Sequence, residues 1–247
     1  MKNICKVQIH PFCYIVAFIY VVTGMFRPFF WIMSLIVIHE CGHILAGLFF
    51  RWNIEKVILM PMGGITIFKE ALNRPVIEEF LIAFMGPFFQ IIFFFLVHSN
   101  VPYSWFYKAN VALLLFNLLP IVPLDGSKLL HCLCDIVFPF EQSHKIVLWI
   151  SFVLLTLFGI FCIQYQNLIL YIVATCLVCK VIEEWKHASI RFHKFLLERY
   201  LYVYHFRKTR KINGANFLKM YRNCNHVFFI NSHWVSEKRL LNNHFDG

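Results

Sequence analysis

The chain has 247 residues, 60% of them hydrophobic, with 29 phenylalanines and a mean hydropathy of +0.65. That composition excludes an ordinary water-soluble domain and points to a polytopic membrane protein. The net charge of +10 has no nucleic-acid-binding module to carry it, so it reads as the loop-charge bias of a membrane protein, and no nucleic acid is expected as a partner.

In chain order, the N-terminal MKNICKVQIHPF lacks a small-residue cleavage site after its first apolar run. That run, from about Pro11 to Phe26, is therefore expected to stay as a first span. The second span is expected from about Phe30 to Phe50. Its sequence IMSLIVIHECGHILAGLFF is apolar at nearly every position, yet it carries His39, Glu40 and His43 at its centre. Ionisable groups inside a span are expensive and mark function. Here they form H-E-x-x-H, and positions i and i+4 share one helix face. His39 and His43 can thus each offer a ring nitrogen to one zinc ion, with Glu40 placed to take a proton from water at the metal. A catalytic zinc takes three protein ligands, so a third must come from elsewhere.

Between Arg51 and Glu79 lies an apolar but interrupted segment containing KVILMPMGGITIF. Pro61, Gly63 and Gly64 break a helix, while Ile65 to Phe68 favours an extended form. A small re-entrant or β element is expected here, either a packed connector or a sheet edge that pairs with an unwound substrate. A third span follows from about Phe80 to Val97, opening on Gly86-Pro87, which allows close helix approach and a kink.

The fourth span, from about Trp105 to Pro123, ends in NLLPIVPLDG, residues 117 to 126. Two prolines three apart should leave Asp125 on irregular backbone. Alone, Pro, Asp and Gly suit a simple turn. Beside a zinc motif that lacks a ligand, Asp125 is the expected third donor. The fifth and sixth spans are expected from about Ile146 to Cys162 and Leu168 to Ile182. The remaining histidines, His131, His144 and His226 among them, have no ligand spacing and are expected at the surface. The nine cysteines form no secreted disulfide pattern; eight are scattered and read as small apolar residues, Cys41 lies within the zinc motif but is not expected as a ligand, and Cys132-Leu-Cys134 is only a weak metal-binding signal.

The expected class is therefore an all-α polytopic membrane protein: six transmembrane helices, the element after the second, and a short α/β tail. The expected divisions are a membrane domain over 1–182, a linker helix over 183–205 and a tail over 206–247. Lys and Arg collect on the even-numbered side of the spans, which puts both termini and the tail in the cytoplasm. Contact of the tail with anionic lipid follows from the same charge.

With both motifs in hand, His39-Glu40-Cys41-Gly42-His43 and Asn117 through Gly126, the chain resembles the site-2 protease family of intramembrane zinc metalloproteases. It is similar, over roughly residues 8 to 205, to the branch of endospore formers that processes a sporulation sigma-factor precursor. The resemblance implies one Zn2+ held by His39, His43 and Asp125, with Glu40 catalytic and Asn117, Pro123, Gly63 and Gly64 positioning substrate. It further implies a pro-sigma-K-like membrane-associated substrate, inhibitory membrane partner proteins, and a location in the mother-cell-derived membrane around the forespore. ATP is not expected as a cofactor, because the tail is short for a complete nucleotide-sensing module. The alternatives are a site-2-type protease acting on another membrane-anchored regulator, a zinc transporter, and an inactive scaffold.

Overall fold

Residues 6–9, 11–60, 63–68, 72–97, 104–202, 204, 206–230 and 232–246 are described by the computed structural model. Pro61, and with it the proline of the expected helix-breaking loop, lies outside them. The elements run β1 (Lys6–Ile9), α1 (Pro11–Val22), α2 (Phe26–Phe49), β2 (Ile54–Met60), β3 (Gly63–Phe68), α3 (Val76–Val97) and α4 (Ser104–Leu118). They continue with α5 (Asp125–Val137), α6 (Phe140–Tyr165), α7 (Leu168–Leu201), β4 (Thr209–Asn213), β5 (Asn225–Ile230), β6 (His233–Ser236) and α8 (Glu237–Phe245).

Among the described residues, three helices are long and apolar enough to cross a membrane: α2, α3 and α6. This corrects the expectation of six spans. A helix rises about 1.5 Å per residue and the hydrocarbon core is about 30 Å thick, so some 20 residues are needed. The 12 residues of α1 and the 15 of α4 fall short. Helix α7 has 34 residues, but its apolar run is cut short by Lys180, Glu183 and Glu184, and the expected sixth span and linker helix are one continuous helix. Composition shows where apolar residues run; it does not show where each helix stops.

The all-α class is corrected as well, because the described chain contains two three-stranded sheets. In place of a local re-entrant or β element after the second span, β2 and β3 belong to a sheet whose outer strand β1 precedes α1. β1 runs parallel to β2, with Lys6 opposite Lys56 and Ile9 opposite Leu59. Parallel neighbours need a long crossover, which α1 and α2 supply. β2 and β3 pair antiparallel from Ile54 opposite Phe68 to Met60 opposite Gly63, with an irregularity between Ile54 and Lys56.

The chain divides into two compact units, Met1–Glu70 with Phe80–Leu119, and Ala71–Glu79 with Pro120–Gly247. In the first, Leu35, Phe94 and Phe106 form a buried cluster with Trp31, Trp105 and Leu113 packed against it. Helices α2 and α3 approach closely at Gly42, where a Cβ would run into the backbone carbonyl of Met85. Small residues permit such approach in membrane helices. Pro87 lies inside α3, which continues through it to Val97.

In the second unit, α7 buries Phe195, Leu196 and Arg199. Phe195 and Leu196 join Phe140, Ile212, Met220, Phe228 and Leu241 in one core, where the Phe140 and Phe195 rings stack at 4.3 Å. β4 pairs parallel and β6 antiparallel with the central β5. The Arg199 guanidinium donates to Glu237 at 2.7 Å, to the Asn73 side chain at 2.7 Å and to the carbonyls of Tyr221 and Cys224 at 2.9 Å each. A second buried cation, Arg222, pairs with Glu79 at 2.6 Å and Asp135 at 3.1 Å. Burial of two arginines is tolerated because each has several acceptors. His131, His144 and His226 are buried, not at the surface as expected, and His226 is held by Glu237 at 2.9 Å.

Candidate active site

The site is built on the C-terminal half of α2. This 24-residue helix has no acidic residue in its first turn and no basic residue in its last, and its buried residues include Leu35, Ile36, His39, Glu40, Gly42, His43 and Gly47. Their spacing is that of one helix face, so the apolar stripe that packs the helix also carries the ionisable groups. His39, Glu40 and His43 are each at most 3% exposed.

Each imidazole is gripped at Nδ1. His43 Nδ1 lies 2.8 Å from the backbone carbonyl of Ile82, and His39 Nδ1 lies 3.0 Å from Gln90 Oε1. Acceptors at both Nδ1 atoms leave the lone pairs on Nε2. The two Nε2 atoms face each other at 3.2 Å. Two ligands at about 2.0–2.1 Å from a tetrahedral ion sit about 3.3 Å apart, so this spacing fits a shared metal. Two lone pairs that close repel unless a cation relieves them. A carboxylate oxygen of Asp125 completes the set: the ligand atoms of His39, His43 and Asp125 all lie within 4.8 Å of one another. All three residues are buried. Two imidazole nitrogens and a carboxylate oxygen suit zinc.

Asp125 is the first residue of α5, not part of an irregular stretch as the prolines suggested. A carboxylate at a helix start is favoured by the unpaired N–H groups and dipole there. Lys128, one turn on, donates to Asp125 Oδ1 at 2.9 Å.

Glu40 is turned toward β3. Its Oε1 accepts from the Gly64 backbone N–H at 3.1 Å and its Oε2 from the Thr66 hydroxyl at 2.8 Å. Charge-assisted bonds of this kind compensate the burial of a carboxylate. Gly64 is required by proximity: a Cβ there would overlap the Glu40 carboxyl group. Gly86, which the sequence suggested as a packing residue, has the matching role for His43, since a Cβ at Gly86 would fall on the imidazole Nε2.

Of the expected site residues, the structure brings together His39, His43 and Asp125, and sets Glu40 against Gly64. Gly63 pairs with Met60 at the start of β3. Asn117 is buried in the last turn of α4, and Pro123 lies in the turn before α5, half-buried. Sequence reasoning missed Thr66, Gln90 and Asn110. Gln90 was detectable in principle as the one amide between Phe88-Phe89 and Ile91-Ile92 in an apolar helix.

A model of peptidase family M50 matches residues 28–100 and 98–158. Stage IV sporulation protein FB of Bacillus subtilis is 34% identical over 209 residues, covering 80% of this chain and 72% of that protein. A zinc metalloprotease of Methanocaldococcus jannaschii is 27% identical over 180 residues, covering 64% of this chain and 52% of the relative. The solved site-2 protease of Methanocaldococcus jannaschii has a similar fold, with a TM-score of 0.56 at 23% identity over 72% of this chain and 89% of that one. The matched segments include the helix of His39 and His43 and the helix that begins at Asp125, and three apolar helices of membrane length accompany them. The chain belongs to peptidase family M50, the zinc-dependent intramembrane proteases.

Proposed function

We propose that this protein hydrolyses a peptide bond of a membrane-associated protein precursor, a pro-sigma-K-like sporulation factor. In this reading His39, His43 and Asp125 hold Zn2+ and Glu40 is the catalytic base. The observation that carries it is the close grouping of two imidazoles and a carboxylate with a second, tethered carboxylate on the same helix. When bound, zinc would supply Lewis-acid activation of water and of the scissile carbonyl. Glu40, adjacent in sequence to His39, takes the proton of the attacking water and returns it to the leaving amine. Its bonds to Gly64 and Thr66 keep the carboxylate from swinging away from that water. Thr66 and Gly64 are held in place for this by the antiparallel pairing of β3 with β2.

The substrate must arrive extended, because a helix has no unpaired backbone to offer. Strand order β1-β2-β3 leaves β3 at the sheet edge, which supports substrate positioning along Gly63 and Gly64 by strand addition. Asn117 and Pro123 are assigned to substrate positioning on the motif alone. The sporulation substrate is supported by the likeness to stage IV sporulation protein FB; inhibitory membrane partners and a location in the membrane around the forespore are carried over from the family resemblance.

The test is co-expression of the full chain, or its Glu40→Gln variant, with a tagged pro-sigma-K-like precursor, read by size on a gel. Cleavage by the unaltered chain alone is expected. Equal cleavage by the variant would refute Glu40 as base. An uncut precursor with both would refute the substrate.

A further inference from the structure

We propose that Gln90 and Asn110 are positioning residues that lock His39 in its metal-binding tautomer, an inference that rests on the metalloprotease reading above. Gln90 is fully buried on α3, within a stretch that is otherwise Phe, Ile, Leu and Pro. An amide in that setting is costly unless both its ends are satisfied. Here both are. Gln90 Nε2 lies 3.2 Å from the backbone oxygen of Asn110 and 3.0 Å from its Oδ1, while Oε1 lies 3.0 Å from His39 Nδ1.

The direction of each bond follows from one fixed point. A backbone carbonyl can only accept, so the Gln90 atom facing Asn110 must be the NH2 group. The other end is then the amide oxygen, which can only accept as well. His39 Nδ1 must therefore carry its proton, and Nε2 must carry the lone pair. That is the tautomer able to ligate a metal through Nε2, the atom that faces His43 Nε2 at 3.2 Å. The order Asn110 to Gln90 to His39 thus transmits the polarity of one main-chain carbonyl on α4 to a ligand atom on α2. Metal-ligating histidines are held in this way by an outer acceptor.

The two histidines differ in what can be altered. His43 is locked by the carbonyl of Ile82, which no substitution removes. His39 is locked by a side chain. Asn110 is itself 4% exposed and clamps Gln90 with two oxygens, and the amide cannot turn over without losing the bond to the main-chain carbonyl and facing it with a second acceptor.

The experiment measures zinc affinity of the full-length, detergent-solubilised protein by chelator competition. Gln90→Leu should weaken binding about 10- to 100-fold, the range for loss of an outer partner of a ligand. Gln90→Glu should weaken binding less than Gln90→Leu, because in its neutral form one carboxyl oxygen accepts from Nδ1–H while the O–H donates to the Asn110 main-chain carbonyl. Asn110→Leu keeps the backbone carbonyl and should weaken binding by less than Gln90→Leu. A purely structural role would lower the melting temperature of the metal-free protein and would not separate Glu from Leu at position 90. Should Gln90→Leu fail to fold, Asn110→Leu decides: a several-fold loss supports the relay and unchanged affinity overturns it. Unchanged zinc affinity in Gln90→Leu would overturn this inference alone. An unaltered chain that takes up no zinc would overturn the metal reading and this inference with it.

Discussion

Gly86→Ala should disable zinc binding at the His39, His43 and Asp125 cluster while leaving most of the fold in place. Gly86 is buried on α3, and a Cβ built there falls on Nε2 and Cε1 of His43, closer than any real contact. Ordinary carbon contacts are about 3.5–4.0 Å, so the imidazole would have to withdraw by on the order of 1 Å. Metal–ligand distances tolerate only about 0.2 Å. The ring cannot slide freely, because its Nδ1 is bonded to the Ile82 carbonyl at 2.8 Å. Breaking that bond costs about 1 kcal/mol and the overpacking typically 1–3 kcal/mol. The stability loss is therefore modest, whereas a displaced ligand should weaken zinc more than the about 10- to 100-fold seen when an outer partner is lost. The assay is zinc content of full-length solubilised protein after equilibration with graded chelator, beside its melting temperature. Gly159→Ala is the control. It also sits inside a membrane-length helix, but a Cβ there meets nothing within 4 Å. That variant should keep its zinc and gain up to about 1 kcal/mol from the better helix former. Full zinc content in Gly86→Ala would refute the argument that the missing side chain makes room for His43.

Two further outcomes follow from the second unit. Arg222→Met leaves Glu79 and Asp135 without the guanidinium that lies 2.6 and 3.1 Å away, and should cost about 3–5 kcal/mol, seen as a lower melting temperature and easier proteolysis of the C-terminal segment; a variant as stable as the parent would contradict it. Acidification should loosen the β4–β6 sheet. Burial pushes the His226 imidazole below its ordinary value, against the pull of Glu237. Burial pushes the Glu237 carboxyl up, but the hydrogen bond from His226 and the charge of Arg199 outweigh it and hold it below the usual range. Both folded values lie under the unfolded ones, so the stability these groups supply is complete above about pH 6.5 and erodes as pH falls through the His226 and then the Glu237 value. Amide protection of Asn225–Ile230, corrected for intrinsic exchange, should fall between pH 7.5 and pH 5; a rise would show the sign is wrong.

His39, Glu40 and His43 were legible in the sequence because their relation is local: four residues along a helix is one turn, whatever surrounds it. The membrane setting was legible because apolar content is additive. Asp125 was legible only through its motif, since a Pro-Asp-Gly context alone suits a turn. What tertiary structure decided is every feature that depends on partners distant along the chain. Among the described residues it sets three long apolar helices where composition suggested six, because a helix ends where its hydrogen bonds and packing end, not where hydrophobicity fades. It pairs β1 with β2 across two helices, a register no local pattern encodes. It brings Gln90 and Ile82 to the two imidazoles, and Gly64 and Thr66 to Glu40. It buries His131, His144 and His226, which looked like surface residues because part of what encloses them, such as Arg199 at 3.4 Å from His226, comes from distant stretches of the chain. Short-range spacing determines which atoms can act together on one helix; the folded chain determines which way those atoms point and what holds them there.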